Sequence, residues 1–63
     1  MNAKQVIQRL EAHGFTLARI EGSHHIMTKP GHPRSVPVPV HGTRDLGKGL
    51  LAAIQRQSGV NLK

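Results

Sequence analysis

The alternation of valine and proline in the middle of the chain limits the possible folds more than any other feature. Val36, Val38 and Val40 alternate with Pro37 and Pro39. Successive side chains of a strand point to opposite faces, so the valines share one apolar face. The prolines lack N–H groups, and both missing donors fall on the same side of the strand, which therefore cannot pair. We expect residues 34–40 to form an edge strand whose outer edge is closed to further pairing.

Residues 2–13 are predicted to form a helix. Their apolar side chains recur at spacings of three and four positions, which gives one apolar stripe. The residues of this stripe are Ala3, Val6, Ile7 and Leu10. Asn2 is a good N-cap residue, and Gln5 completes a capping-box pattern with it. Gly14 suits the position just after the helix, and Phe15 can then fold back on the last turn.

A second helix is predicted over residues 47–58. Its apolar set is Leu50, Leu51, Ala53 and Ile54. Gly47 and Gly49 each cost about 1 kcal/mol relative to alanine in a helix, so we expect the first turn to fray. Gly59 ends the helix, and Val60 closes back on it.

Two further strands, residues 15–21 and 23–29, flank a turn at Gly22. A strong turn signal over residues 30–33 leads into the valine–proline strand, and residues 43–46 form a loop. The predicted order is α-β-β-β-α with antiparallel neighbours. The resulting α+β fold has both helices on one face of a three-stranded sheet, and the other face is left for solvent or a partner.

The length and cysteine content limit the class of protein. The chain has 63 residues and no cysteine, so we expect one domain over residues 1–63, without a disulfide framework or a thiolate metal site. The first fifteen residues carry charges and lack the apolar run of a signal peptide. No stretch approaches the roughly 20 apolar residues of a membrane span. We therefore expect a cytoplasmic protein with no membrane association.

The charge points to a polyanionic partner. Nine Lys and Arg residues against three Asp and Glu residues give a net charge of +6, which is typical of a nucleic-acid-binding protein. The basic residues are spread along the chain, so each one alone is better explained as a solvated surface residue, and only their total charge favours phosphate binding. Phe15 is the only aromatic residue apart from histidine. This argues against a domain that binds unpaired bases by stacking them on aromatic side chains. It favours recognition of the shape and the phosphate backbone of the nucleic acid.

The densest polar cluster is Gly22-Ser23-His24-His25. On a strand, His24 and His25 point to opposite faces, so only one of them can face a substrate. A histidine can take or give a proton at neutral pH, for example from the 2′-hydroxyl of RNA or to the departing 5′-oxygen. The absent side chain of Gly22 would let a phosphate approach the backbone, and Ser23 adds a hydroxyl donor. The alternative is that these histidines are ordinary surface or packing residues.

Two other patterns are weaker. Residues 42–49 match a phosphate-binding P-loop at all positions except the last, where Gly49 replaces the hydroxyl residue that binds magnesium. The preceding strand is an edge strand, so we interpret the match as accidental and expect Arg44 and Lys48 to contact phosphate at a helix N-terminus instead. The five histidines lack the spacing of metal ligands, so no metal and no small-molecule cofactor is expected.

The ordered set of these features resembles the HicA family of bacterial toxins. The features are Gly14-Phe15 after an amphipathic helix, a strand with Arg19, Gly22-Ser23-His24, a Val-Pro strand reaching His41, Asp45 to Gly49, the helix segment Leu51 to Ile54, and Ser58-Gly59-Val60. The resemblance implies a fold like that of double-stranded-RNA-binding domains, and an mRNA interferase that is inhibited by an antitoxin, HicB. It also implies that His24 is the essential histidine.

The sequence-based hypothesis is a metal-independent endoribonuclease toxin with mRNA as substrate, an acidic HicB-like antitoxin as partner, and His24 as general acid or base. The residues expected to shape the phosphate site or contact the RNA backbone are Gly22, Ser23, Arg19, Lys29 and Lys48. A single histidine cannot fill both proton-transfer roles at once, so water, Ser23 or His25 must assist. The alternatives are a non-catalytic RNA- or ribosome-binding module of the same fold, and a subunit that only completes a complex.

Overall fold

The computed structural model describes residues 1–62. Its elements are α1 (Ala3–Ala12), β1 (Thr16–Glu21), β2 (His24–Thr28), β3 (Val36–Pro39) and α2 (Lys48–Ser58). The strands form one antiparallel sheet in the order β1-β2-β3, which confirms the predicted α-β-β-β-α arrangement. Each element is slightly shorter than predicted. Within residues 1–62, neither helix has the length and apolar character needed to cross a membrane.

The position of β3 at one edge of the sheet agrees with its proline pattern. Within residues 1–62, β3 pairs with β2 alone, and Val36 and Val38 are fully buried. One residue past the strand, the Val40 N–H donates to the Ser23 carbonyl at 2.7 Å. The valine N–H groups therefore face β2, and the two prolines place their missing donors at the outer edge.

The two ends of α1 form as the sequence predicts. The Asn2 side chain accepts the Gln5 N–H, and the Gln5 side chain accepts the Asn2 N–H, both at 2.9 Å. At the other end Gly14 has a φ of +92°, and the Phe15 N–H donates to the Leu10 carbonyl at 3.0 Å. This is a Schellman-type ending, in which the residue after the glycine packs back on the helix. Phe15 is buried and precedes β1 instead of beginning it.

The core lies between the two helices and one face of the sheet. It contains Ala3, Val6, Leu10, Phe15, Met27, Val36, Val38, Leu46, Ile54, Val60 and Leu62. Met27, Val36 and Val38 come from the same sheet face, so both helices cover that face, as predicted. We call it the helix face and the opposite one the open face. Leu46 and Leu62 were not predicted as core residues, because neither lies in a periodic segment.

The predicted apolar stripe of α2 is wrong at Leu50, which is 37% exposed. The inward side of the helix instead carries Leu51, Ile54 and Ser58, whose spacings of three and four positions define a face centred about 70° away from Leu50. The buried Ser58 hydroxyl donates to the Ile54 carbonyl at 2.7 Å and accepts the Val60 N–H at 3.1 Å. A polar side chain can therefore occupy this inward position because its hydrogen bonds are satisfied.

β1 is the other edge of the sheet and contains an irregularity that the sequence did not reveal. The register shifts between Leu17, which pairs with Met27, and Arg19, which pairs with Ile26. This bulge places Arg19 on the open face, where regular alternation would have placed it on the helix face. Leu17 and Ile20 lie on the helix face but are 47% and 56% exposed, because the helices pack chiefly over β3.

Two glycines should respond in opposite directions to substitution by alanine. Gly49 lies in the exposed first turn of α2 and a Cβ there meets no atom within 4 Å, so Gly49→Ala should raise the free energy of unfolding by about 0.5–1 kcal/mol. A Cβ on Gly22 would also meet no atom within 4 Å, but Gly22 has a φ of +60°. Gly22→Ala should therefore lower the free energy of unfolding by about 1–2 kcal/mol. Urea denaturation followed by circular dichroism measures both changes. Equal shifts for the two variants would contradict this assignment.

Candidate functional site

The candidate site is built on the tight turn between β1 and β2. Gly22 and Ser23 form a two-residue loop that joins Glu21 directly to its partner His24. Gly22 has a positive φ and Ser23 does not, which is the pattern of a type II′ hairpin turn. This turn makes His24 the first residue of β2, with Glu21 opposite it on one side and Pro39 on the other.

The two adjacent histidines lie on opposite faces, as alternation predicts. His24 is exposed on the open face, and its imidazole has no hydrogen-bond or ionic partner within residues 1–62. His25 pairs with Val38 on the helix face and lines a groove with Lys4 and Glu11 of α1. The buried Nδ1 of His25 has no hydrogen-bond partner among the described residues. His24 is therefore the member of the pair that can meet a substrate on the open face.

Two of the other three histidines have structural contacts. The Nδ1–H of His13 donates to the Arg9 carbonyl at 2.9 Å. The Nε2–H of His32 donates to the Gln57 carbonyl at 2.7 Å, and the same ring stands edge-on to Phe15 with centroids 5.2 Å apart. His41 is exposed and lies just beyond β3. Within residues 1–62, no group of three or more His, Cys, Asp or Glu side chains is placed to hold a metal ion.

The basic residues predicted to contact RNA do not all lie together. Arg19 is on the open face with His24 and forms an ion pair with Glu21. Lys29 follows the far end of β2, and its Nζ lies 5.7 Å from the centre of the Phe15 ring. The structure thus places Gly22, Ser23 and His24 in one turn and Arg19 on the same face, and it separates Lys29 from them.

The segment that resembles a P-loop does not form one. It follows an antiparallel edge strand, and within it the Leu46 N–H donates to the Met1 carbonyl at 2.8 Å. Lys48 begins α2, and the N-cap residue Gly47 offers no side-chain cap. Because the first N–H groups of a helix have no partners inside the helix, those of α2 are open to an anion beside Lys48.

A separate cleft of about 540 Å³ lies between the turn after β2 and the last turns of α2. It is lined by His32, Pro33, Arg34, Ala53, Arg56 and Gln57. Sequence reasoning did not pair Arg34 with Arg56, because the two residues are far apart in the chain and only the packing of α2 brings them to one cleft. The cleft is at the opposite end of β2 from His24, so it is not part of the candidate site.

The small sheet with two helices on one face and an exposed histidine on the other defines an α+β domain of the double-stranded-RNA-binding-domain type. The family model of the HicA toxin of bacterial toxin–antitoxin systems matches residues 3–60, and the chain belongs to this family. One chain of a solved structure, "HicA3 and HicB3 toxin-antitoxin complex", is 28% identical to it with a TM-score of 0.78, over 100% of both chains. A comparison with curated protein sequences found no match.

Measuring the free energy of unfolding can test whether His32 has a structural role. His32→Ala removes a partly buried hydrogen bond and an aromatic contact, each worth about 0.5–1.5 kcal/mol, so the free energy of unfolding should fall by about 1–3 kcal/mol. The matched control His13→Ala removes an exposed contact and should change it by no more than about 0.5 kcal/mol. Thermal denaturation of both variants makes the comparison. A smaller loss for His32→Ala than for His13→Ala would contradict the assignment.

Proposed function

We propose that this toxin is an endoribonuclease that cleaves mRNA, and that His24 transfers a proton in the cleavage step. The observation that carries the proposal is the exposed His24 imidazole, which has no partner within residues 1–62 and lies on the uncovered face of a strongly basic domain. An unpartnered imidazole can exchange protons near neutral pH, and a +6 charge attracts a polyanion.

In the proposed reaction the ribose 2′-hydroxyl is the nucleophile. The 2′-oxygen loses its proton and forms a bond to phosphorus, while the bond from phosphorus to the 5′-oxygen breaks and that oxygen gains a proton. His24 serves as the base in the first transfer or the acid in the second. The products are one RNA end with a 2′,3′-cyclic phosphate and one with a 5′-hydroxyl.

The turn before His24 suits a phosphate. A Cβ on Gly22 would meet nothing within 4 Å, so the space beside its backbone is open to a ligand. Ser23 is exposed and offers a hydroxyl donor next to the imidazole. We propose that both residues bind the phosphate that is cleaved.

The basic residues would then hold different parts of the RNA. Arg19 shares the open face with His24 and would contact the backbone close to the cleaved bond. Lys48 would bind a phosphate together with the open N–H groups of α2. Lys29 lies five residues from His24, roughly 17 Å along an extended strand, so it would contact a phosphate several nucleotides away.

We propose that the reaction needs no metal or small-molecule cofactor. Two-metal cleavage of phosphodiesters depends on clustered carboxylates. The three acidic residues of this chain are dispersed: Glu11 is on α1, Glu21 pairs with Arg19, and Asp45 lies 3.4 Å from the terminal amine of Met1. Cleavage by proton transfer between imidazole and substrate fits this residue set better.

We also propose that the partner of this toxin is an acidic HicB-like antitoxin. The similar solved structure is a complex of a HicA with a HicB. Inhibition requires only that the partner cover the open face around His24, because that is the face on which the His24 imidazole is exposed.

Replacing the imidazole should abolish cleavage without unfolding the protein. His24→Ala should lower the rate of RNA cleavage by about 10²–10⁴-fold, the usual contribution of a general acid or base. It should keep its circular dichroism spectrum, because the side chain is exposed and has no partner within the described residues. Cleavage of a labelled mRNA in the presence of EDTA measures the rate and tests metal independence, and mapping of the ends identifies the cyclic phosphate.

His13→Ala is the matched control, since it removes another exposed histidine away from the open face and should cleave RNA normally. Retention of cleavage by His24→Ala would instead favour the non-catalytic binding module. Products that carry 5′-phosphate ends would exclude attack by the 2′-hydroxyl.

The charge of the toxin should make its association with the antitoxin sensitive to salt. Screening shortens the reach of charges from about 10 Å at 0.1 M to about 3 Å at 1 M ionic strength. The association rate constant should therefore fall by about tenfold or more over this range, while the dissociation rate changes much less. Stopped-flow mixing with the HicB protein measures both constants. An association rate that does not depend on salt would contradict electrostatic attraction between the two proteins.

A further inference from the structure

We infer that His41 is the second proton-transfer group of the site and acts on the opposite side of the phosphate from His24. This inference rests on the proposed function. One imidazole cannot accept the 2′-proton and donate the 5′-proton in the same step, so a single-histidine site is incomplete. A second titrating group on the open face would complete it.

The pairing of β2 with β3 places His41 on the open face. His24 pairs with Pro39, and the Val40 N–H donates to the Ser23 carbonyl at 2.7 Å, so the ladder continues one residue beyond β3. Val40 packs against the core on the helix face. The next residue in an extended chain points to the other face, which puts His41 on the face of His24.

The expected separation of His24 and His41 suits proton transfer on opposite sides of one phosphate. On one face of an antiparallel pair, a residue and the diagonal neighbour of its partner lie about 7–8 Å apart, with their β-carbons somewhat closer. The ladder pairs His24 with Pro39, so continuing it by two residues puts His41 in this diagonal position relative to His24. A phosphodiester whose attacking and departing oxygens lie on opposite sides of phosphorus fits between two imidazoles at such a separation.

The other groups that could assist His24 are less suitable. His25 lies on the helix face, across the sheet from His24. His13 and His32 donate to backbone carbonyls away from this turn. The Ser23 hydroxyl is well placed to bind phosphate, but an alcohol does not titrate near neutral pH. His41 is exposed, and its ring has no partner within residues 1–62.

The charged surroundings of the two imidazoles come from two segments. The β1–β2 hairpin brings the Arg19–Glu21 ion pair beside His24. The loop after His41 carries Arg44, whose backbone N–H donates to the His41 carbonyl at 3.3 Å, and Asp45, which lies 3.4 Å from the Met1 amine. Both acidic groups already have basic partners, so the two histidines are the groups left to transfer protons to and from the substrate.

The pH dependence of cleavage tests the inference. In the intact toxin, kcat/KM should follow a bell-shaped pH profile, because one histidine must be neutral and the other protonated. His41→Ala should lower kcat/KM by about 10²–10⁴-fold and remove one limb of the bell-shaped profile, with RNA affinity little changed. His41→Gln keeps a polar side chain and should lose the same limb. His13→Ala should keep both limbs.

A substrate with sulfur in place of the bridging 5′-oxygen identifies the roles. A thiolate leaves without being protonated. This substrate should therefore restore the cleavage rate of the variant that lacks the general acid, and it should not restore the cleavage rate of the variant that lacks the general base. If the cleavage rate is restored in one of the two variants, His24→Ala or His41→Ala, the result supports an acid–base pair formed by these histidines. A His41→Ala toxin that cleaves at the normal rate with both limbs intact overturns the inference and leaves the role of His24 untouched. If His24→Ala also cleaves normally, the proposed function itself fails.

Discussion

The register of β2 against its two neighbours is the constraint on which the rest of the structure depends. Because side chains alternate along a strand, a slip of one residue would move Met27 out of the core and turn His24 toward the helices. Three local features hold the register. They are the two-residue turn before His24, the bulge in β1 between Leu17 and Arg19, and the hydrogen bond from the Val40 N–H to the Ser23 carbonyl.

The same turn also connects the fold with the candidate chemistry. Gly22 must adopt a positive φ for a two-residue hairpin, and glycine does so with little strain. Its missing side chain also leaves space beside the backbone where a phosphate could approach. A larger residue at position 22 would disturb the turn and would also fill the space beside the backbone. The glycine that fixes the register therefore also keeps the site accessible.

The features that could be predicted from sequence are those determined by neighbouring residues. The capping box of Asn2 and Gln5, the helix ending at Gly14, and the opposite faces of His24 and His25 depend only on local geometry. The valine–proline strand was recognised as an edge because the missing N–H groups of proline are a property of the sequence itself.

The features that were missed depend on contacts between distant segments. The prediction placed Leu50 on the inward side of α2 because leucine is apolar. The way in which α2 packs against the sheet instead buries the side that carries Ser58. The bulge that turns Arg19 to the open face follows from pairing with β2, and no glycine or proline marks it in the sequence. The hydrogen bond between His32 and Gln57 spans 25 residues and forms only after α2 has packed.

The division of the sheet into two faces explains how so small a domain can hold a site at all. Most of the large apolar residues form the core on the helix face, so the open face needs to contribute less to stability and can carry polar and charged residues. Its apolar residues include Pro37 and Pro39 of β3 and Ile26, which is 6% exposed and lies on β2 between His24 and Thr28. On this account His24 lies on β2 and His41 lies two residues beyond β3, and they share one face because β2 and β3 pair in this register. The pairing that buries Val38 on one face therefore brings the two imidazoles together on the other.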